Sequence, residues 1–256
     1  DPPWLNDIQP PAGVGTLNSD EGAPAMADAA GDAPPGRYRN ARLELRRYIE
    51  TGDTGRLAKA LGHYSSRGSG GAAAVASRMR VTTKAGANLF SMLSAAANRS
   101  TPSISLWVDA LRNRGASSDD VANAIVNELS LPGGSVDEES MRDSMAVALS
   151  DLMQANPDID LLSLGQDDIW ALMGLFLATA VVKQVCFDIG QALERSNVDP
   201  VTAVQREQAM REFIKSEVNV SLRNLRAANP NPSRSEMERL MRAAIETTFQ
   251  VFEVLL

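Results

Sequence analysis

The sequence predicts an all-α protein, a multi-helix bundle preceded by a disordered, Pro-rich acidic arm. Three observations lead there. Apolar residues recur at helical spacing from Arg37 to the end of the chain, helix-start and helix-stop residues punctuate that spacing, and no convincing period-two run or fixed-length repeat interrupts it. The first 36 residues differ: they hold seven of the thirteen prolines, six acids and no Lys or Arg. Such a segment cannot bury enough apolar surface to offset the entropy of ordering it.

Within the arm, Pro3, Trp4, Leu5 and Ile8 form an isolated apolar cluster beside prolines that restrict the unfolded chain. Two readings stay open. The cluster is a partner-docking peptide, because Trp is a favoured interface anchor, or it folds back onto its own domain.

From Arg37 the stripe Tyr38, Ala41, Leu45, Tyr48 and Ile49 predicts a first helix that ends at Gly52-Asp53. A second runs from about Thr54 to Ser66 and breaks at Gly68-Ser69-Gly70-Gly71. An Ala-rich helix from Ala72 to about Arg80 follows, then one from Thr83 through Leu89, Phe90, Leu93 and Ala97. Pro102 opens a helix at its first turn, with Ile104, Leu106, Trp107 and Leu111 expected inward. Ser117 or Ser118 caps the next, which carries Val121, Ile125 and Leu129.

After Leu131-Pro132-Gly133-Gly134, the run Ser135-Val136-Asp137-Glu138 spells a capping box for a helix to about Gln154. Gln166-Asp167-Asp168 is expected to cap a helix from Ile169 to about Arg195 that is apolar nearly all round through Phe187, hence central. Pro200 starts a long amphipathic helix with Val204, Phe213, Ile214, Val218, Leu222 and Leu225 inward, and Asn229-Pro230-Asn231-Pro232 stops it. A last helix from Ser233 or Ser235 places Met237, Leu240, Met241, Ala244, Ile245, Phe249 and Phe252 on one face.

The net charge of −7 conceals a partition. Residues 1–36 carry −6, residues 37–100 carry +9 from twelve bases and three acids, and the remainder carries −10. The expected organisation is an arm over 1–36, a basic helical module over 37–130 and an acidic helical bundle over 131–256 packed on it. The basic stretch 37–84 also admits a nucleic-acid reading through phosphate contacts, although its tyrosines fall mainly on apolar stripes. A single cysteine rules out an internal disulfide and fits a reducing, cytoplasmic setting. The longest apolar run, Ile169 to Val182, spans 14 residues. A bilayer crossing needs roughly 20, so a buried helix is expected and no membrane association.

Catalytic constellations are nearly absent. The only pair for nucleophilic chemistry is Cys186 with the lone histidine, His63, and Cys186 stands on the most apolar helix, where a thiol is usually a small core residue. One His and one Cys exclude ordinary zinc clusters. Asp158/Asp160 and Asp167/Asp168 lack the spacing of a calcium loop and read as helix caps. No catalytic residue, metal or cofactor is therefore expected. Arg67, Gly70, Gly71, Arg78 and Arg80 form one candidate anion site, a Gly-rich turn feeding a helix N-terminus near guanidiniums. It lacks the Lys-Ser/Thr pair of a phosphate loop, and an ordinary interhelix turn explains it as well.

Read in order, several of these pieces resemble the B component of the Qat antiphage defence systems, the QatB family. They are Pro3-Trp4-Leu5 in the acidic arm, Arg37-Tyr38-Arg39-Asn40-Ala41-Arg42, Gly70-Gly71 with Arg78-Met79, and Ala85-Gly86-Ala87. Gly133-Gly134-Ser135-Val136-Asp137-Glu138 and Cys186-Phe187-Asp188-Ile189-Gly190 complete the set. The resemblance implies a helical, non-catalytic partner of a QueC-like (QatC-type) enzyme, in an operon that also encodes an ATPase and a TatD-like nuclease. It further implies a short Gly/Ser-rich peptide upstream of Pro-Trp-Leu on which that enzyme acts. This sequence starts at Asp1, which leaves any such terminus out of view.

Overall fold

A computed structural model describes residues 36–129, 136–194 and 197–256, and the described residues are helical with no strand among them. Pro3, Trp4, Leu5, Ile8, Ser135 of the expected capping box and Arg195 lie outside the described residues.

The order begins with α1 (Arg39–Thr51), whose predicted stripe Ala41, Leu45, Tyr48 and Ile49 is buried. Gly52 ends it at φ +75°, a left-handed conformation in which its N–H reaches the Tyr48 carbonyl. Asp53 caps α2 (Thr54–His63) by accepting the Gly55 N–H. The chain does not break at Ser66 but widens into a π-helical turn, Tyr64–Ser69, which Gly70 and Gly71 close with φ +88° and +102°. Gly68 on that turn leaves room for the Tyr38 ring, which a Cβ would strike.

α3 (Ala72–Arg78) and α4 (Arg80–Asn98) meet at Met79 alone, so the expected gap before Thr83 is filled by helix. Pro102 does open α5 (Pro102–Asn113). Its buried stripe is Val108 and Leu111 with Ile104 partly covered, and Leu106 is 71% exposed, contrary to expectation. Two residues along a helix turn about 200°, so Leu106 points away from the face set by Ile104 and Val108. Ser117 starts α6 (Ser118–Leu129) through reciprocal bonds with Asp120, 3.2 Å to its N–H and 3.0 Å back from the Ser117 N–H.

α7 (Val136–Ala155) leads through a turn to α8 (Gln166–Ile189). In that turn Asp160 accepts the Leu162 N–H at 2.9 Å and pairs with Arg112, so it organises a turn and caps no helix. Gln166, Asp167 and Asp168 likewise do not cap: Gly165 occupies the N-cap position and the acids stand inside the first turn, where they still meet the positive end of the dipole. By length and mean hydropathy α8 could cross a bilayer. Seventy-two per cent of its most apolar window is nevertheless buried against other helices, which is the environment of a core helix. It stops at Ile189, short of the expected Arg195, and a turn at Gly190 leads to the single turn α9 (Gln191–Glu194). Phe187, expected inward, is 76% exposed.

Asp199 caps α10 (Pro200–Ala228) by accepting the Thr202 N–H at 3.0 Å. Its buried face begins only at Met210 and continues through Ile214, Val218 and Leu222, which leaves Val204 65% exposed, again contrary to expectation. Ser233 and Glu236 close a full capping box on α11 (Arg234–Val254). α8 packs against α4, α7 and α10, and α11 packs against α2, α3, α4 and α10, so these two helices carry one shared core.

Phe249 of α11 is buried between Tyr64 and Phe252, with ring centroids 5.5 and 6.0 Å away. Phe249→Ala is expected to cost about 3–5 kcal/mol in urea unfolding, whereas Phe187→Ala should change stability by less than about 0.5 kcal/mol. Equal costs would place Phe187 in the core after all.

Candidate functional site

Asp188 is the one acid on the apolar stretch of α8 after its first turn, and its side chain is only 7% exposed. A carboxylate so placed must be compensated by charge and hydrogen bonds. Tyr64, from the π-helical turn, donates its hydroxyl to Oδ2 at 2.9 Å, and Gln184, one turn back on α8, donates at 3.0 Å. Arg78, the last residue of α3, supplies the charge at 3.1 Å. Its other terminal nitrogen donates to the Tyr38 hydroxyl at 2.6 Å, and Tyr38 stacks on Tyr64 with centroids 5.4 Å apart. Arg42 of α1 completes the cluster by donating to the Asp188 main-chain carbonyl at 2.8 Å.

Burial pushes the Tyr64 phenol well above its ordinary range, and the Asp188 carboxylate beside it adds to that. Tyr64 therefore stays a neutral donor. Burial works against the charge on Arg78, but the bond to Asp188 and the charge of that carboxylate hold its guanidinium firmly protonated. Chemically the cluster is a closed ion pair with its hydrogen bonds spent inward. It ties α1, the π-helical turn and α3 to the C-terminal end of α8.

The predicted anion-site residues are distributed differently. Arg78 belongs to the Asp188 cluster, and the N–H groups of Gly70 and Gly71 both turn back to the Ser65 carbonyl to close the π-helical turn. Arg67 and Arg80 are exposed. Cys186 and His63 sit among different charges. Burial raises the Cys186 thiol, whose charged neighbours are Arg211 and Glu207. Burial lowers the His63 imidazole, whose charged neighbours are Arg67, Glu44 and Lys59, and its Nδ1 is buried without a hydrogen-bond partner. Among the described residues no cluster of three or more potential metal-ligating side chains occurs.

Residue-by-residue reading missed the Asp188 cluster, although a lone acid in an otherwise apolar helix was a legible signal for a buried partner. The segments that carried the resemblance do converge there: Arg37 to Arg42, Arg78-Met79 and Cys186 to Gly190. A family model described as Qat anti-phage system associated protein QatB matches residues 70–252, well over half of the chain. The chain belongs to the QatB family. The match spans the helices from α3 to nearly the end of α11, including Arg78 and Asp188 of the cluster, whereas Tyr38, Arg42 and Tyr64 precede it. Neither the curated proteins nor the solved structures give a match. Membership of QatB makes this chain a component of Qat anti-phage defence.

Asp188→Ala would leave the buried Tyr64 hydroxyl without its acceptor and Arg78 unpaired, with an expected loss of about 1–3 kcal/mol, while Asp188→Ala with Tyr64→Phe and Arg78→Met should recover part of it. The raised Tyr64 also fixes a pH dependence. Its proton is held more tightly in the folded chain than in the unfolded one, so its contribution is complete below the ordinary phenol range and falls as pH rises through about 10 and above. Urea midpoints measured between pH 8 and 11 should drop at the alkaline end, and Tyr64→Phe should flatten that drop.

Proposed function

We propose that this chain is a non-catalytic binding subunit of a Qat defence complex, which docks its N-terminal arm through Pro3, Trp4, Leu5 and Ile8 onto a QueC-like enzyme in the cytoplasm. The family match over residues 70–252 carries this reading. The chemistry of the body supports it. The one thiol is made less nucleophilic by burial, the one imidazole lies among unrelated charges, and the best-defined polar cluster is closed on itself. In this reading the helical body is a rigid platform, and the arm offers its terminus to the enzyme for modification. The ATPase and the TatD-like nuclease of the same system are further partners.

The nucleic-acid alternative draws on the basic segment, many of whose guanidiniums are engaged within the fold. Arg47 and Arg56 both pair with Glu44 and Arg78 with Asp188, while Arg37 and Arg42 bond main-chain carbonyls. Protein binding is therefore the favoured class.

Titration calorimetry against the QueC-like enzyme at two salt concentrations tests the proposal. Trp4→Ala with Leu5→Ala should weaken binding about thirtyfold or more, as expected for loss of a buried aromatic anchor, and moderate salt should change the wild-type affinity little. Arg80→Glu, on an exposed residue, should alter mainly the association rate. If the double alanine variant binds like wild type and Arg80→Glu fails, the arm is a tether and the basic face is the binding surface. Cys186→Ala and His63→Ala should each leave phage protection intact in a plaque assay. Abolished protection in a well-folded variant would restore the enzyme reading.

A further inference from the structure

A groove of about 420 Å³ runs between α8 and α10, within the size range of small-ligand sites. Its α8 wall is built on Asp167, Trp170 and Gly174, and its α10 wall on Ser216, Asn219, Arg223 and Arg226. These positions fall one or two turns apart on their helices, so each set forms a continuous stripe facing the other. Gly174 leaves room for the Asn219 carboxamide against α8, because a Cβ there would collide with Asn219 Oδ1 and push that side chain aside. With that oxygen against the α8 backbone, the NH2 group is the end of the carboxamide left to line the groove.

The remaining polar groups, apart from the Asp167 carboxylate, are also donors. Arg226 is held in place by stacking on the Trp170 ring, 5.5 Å from its centroid, and by an ion pair with Asp167 at the exposed rim. Trp170 is fixed in turn by its Nε1–H bond to the Pro230 carbonyl at 3.0 Å. Arg223 donates through Nε to the Asn219 carbonyl at 3.3 Å, which leaves its terminal nitrogens for a ligand. No side-chain hydrogen bond within the described residues occupies Ser216 or the Asn219 NH2. Two guanidiniums against one carboxylate give the lining a net positive charge, and the half-neutralised Arg226 is rigid where Arg223 is adjustable. Leu222 and Ala171 add an apolar surface beside these donors.

We propose that this groove binds a small molecule through a phosphate or carboxylate group, with Arg223, Asn219 and Ser216 donating to the oxyanion and an apolar body lying along Leu222 and Ala171. Pre-positioned donors and charge-assisted bonds are what such recognition requires, and the donors here need little reorganisation to supply them. The site is independent of the docking arm, so it stands or falls separately from the proposed partner.

Calorimetric titration of the full chain with phenyl phosphate, benzoate, inorganic phosphate and phenol tests it and separates the two oxyanions. Phenyl phosphate or benzoate should bind saturably, whichever is tighter naming the group, and more tightly than inorganic phosphate, which lacks the apolar body. Arg223→Gln, a surface change, and Asn219→Ala should each weaken that binding about tenfold. Gly174→Ala, with its fold checked by circular dichroism, should weaken it as well. Phenol binding as tightly as its charged counterparts would overturn the oxyanion assignment. So would the absence of saturable binding by either aromatic oxyanion, or wild-type affinity in both Arg223→Gln and Asn219→Ala.

Discussion

A helix of 24 residues that is apolar on nearly every side has only one stable environment in water: it must be wrapped. α8 imposes that requirement on the rest of the chain. α4, α7 and α10 lie against it, and α11 bridges α10 back to α2, α3 and α4. The wrapping is tight where the inward residues are largest. Gly86 on α4 leaves room for Phe176 of α8 and Met241 of α11, both of which an added Cβ would strike. Side-chain volume at one helix crossing thus decides whether three helices can meet, and interiors packed at crystal density tolerate little deviation there.

The same helix creates the problem that Asp188 poses. Removing a carboxylate from water is expensive, and a pair held in low dielectric offsets that cost only with good geometry and satisfied lone pairs. Asp188 meets both conditions through Arg78, Tyr64 and Gln184. Such a pair is weak evidence for stability in itself but strong evidence for register, because each partner must arrive from one direction. Arg78 comes from the end of α3 and Tyr64 from the π-helical turn, with Tyr38 stacked behind it. The widened turn is therefore connected to the ion pair: Gly68 admits the Tyr38 ring, and that ring places the hydroxyl that Arg78 contacts.

Helix identity was legible because long apolar periods and start signals agree: Ser117 before α6, Pro200 at the head of α10 and Ser233 before α11 are local signals that the fold keeps. Errors gathered where one-dimensional pattern could not tell which neighbour would be present. Leu106, Phe187 and Val204 are apolar residues on helices that do bury a face, yet no described helix covers them. The expected caps at Asp160 and Gln166-Asp167-Asp168 failed for a related reason. An acid before a helix can equally close a turn or sit inside the first turn, and only the backbone path decides. The α8/α10 groove was beyond sequence reading, since Gly174 and Asn219 acquire meaning only as a pair brought together across two helices.

Charge shows the same limit and bears on function. Counted along the chain, residues 37–100 carry +9 and suggest a surface made for polyanions. In the fold, Glu44 alone pairs with both Arg47 and Arg56, and hydrogen bonds from both arginines hold its carboxyl below the usual range despite the opposing effect of burial. Arg78 and Arg99 are neutralised by Asp188 and Asp109, each from outside the window or at its edge in sequence. A phosphate backbone would have to compete with those carboxylates for each guanidinium, and the counterion release that drives such binding would shrink accordingly. Bases such as Arg39, Lys59, Arg67 and Arg80 remain exposed on the surface. Charges at the rim of an interface set how fast two proteins meet more than how tightly they hold, and tight association rests on buried anchors instead.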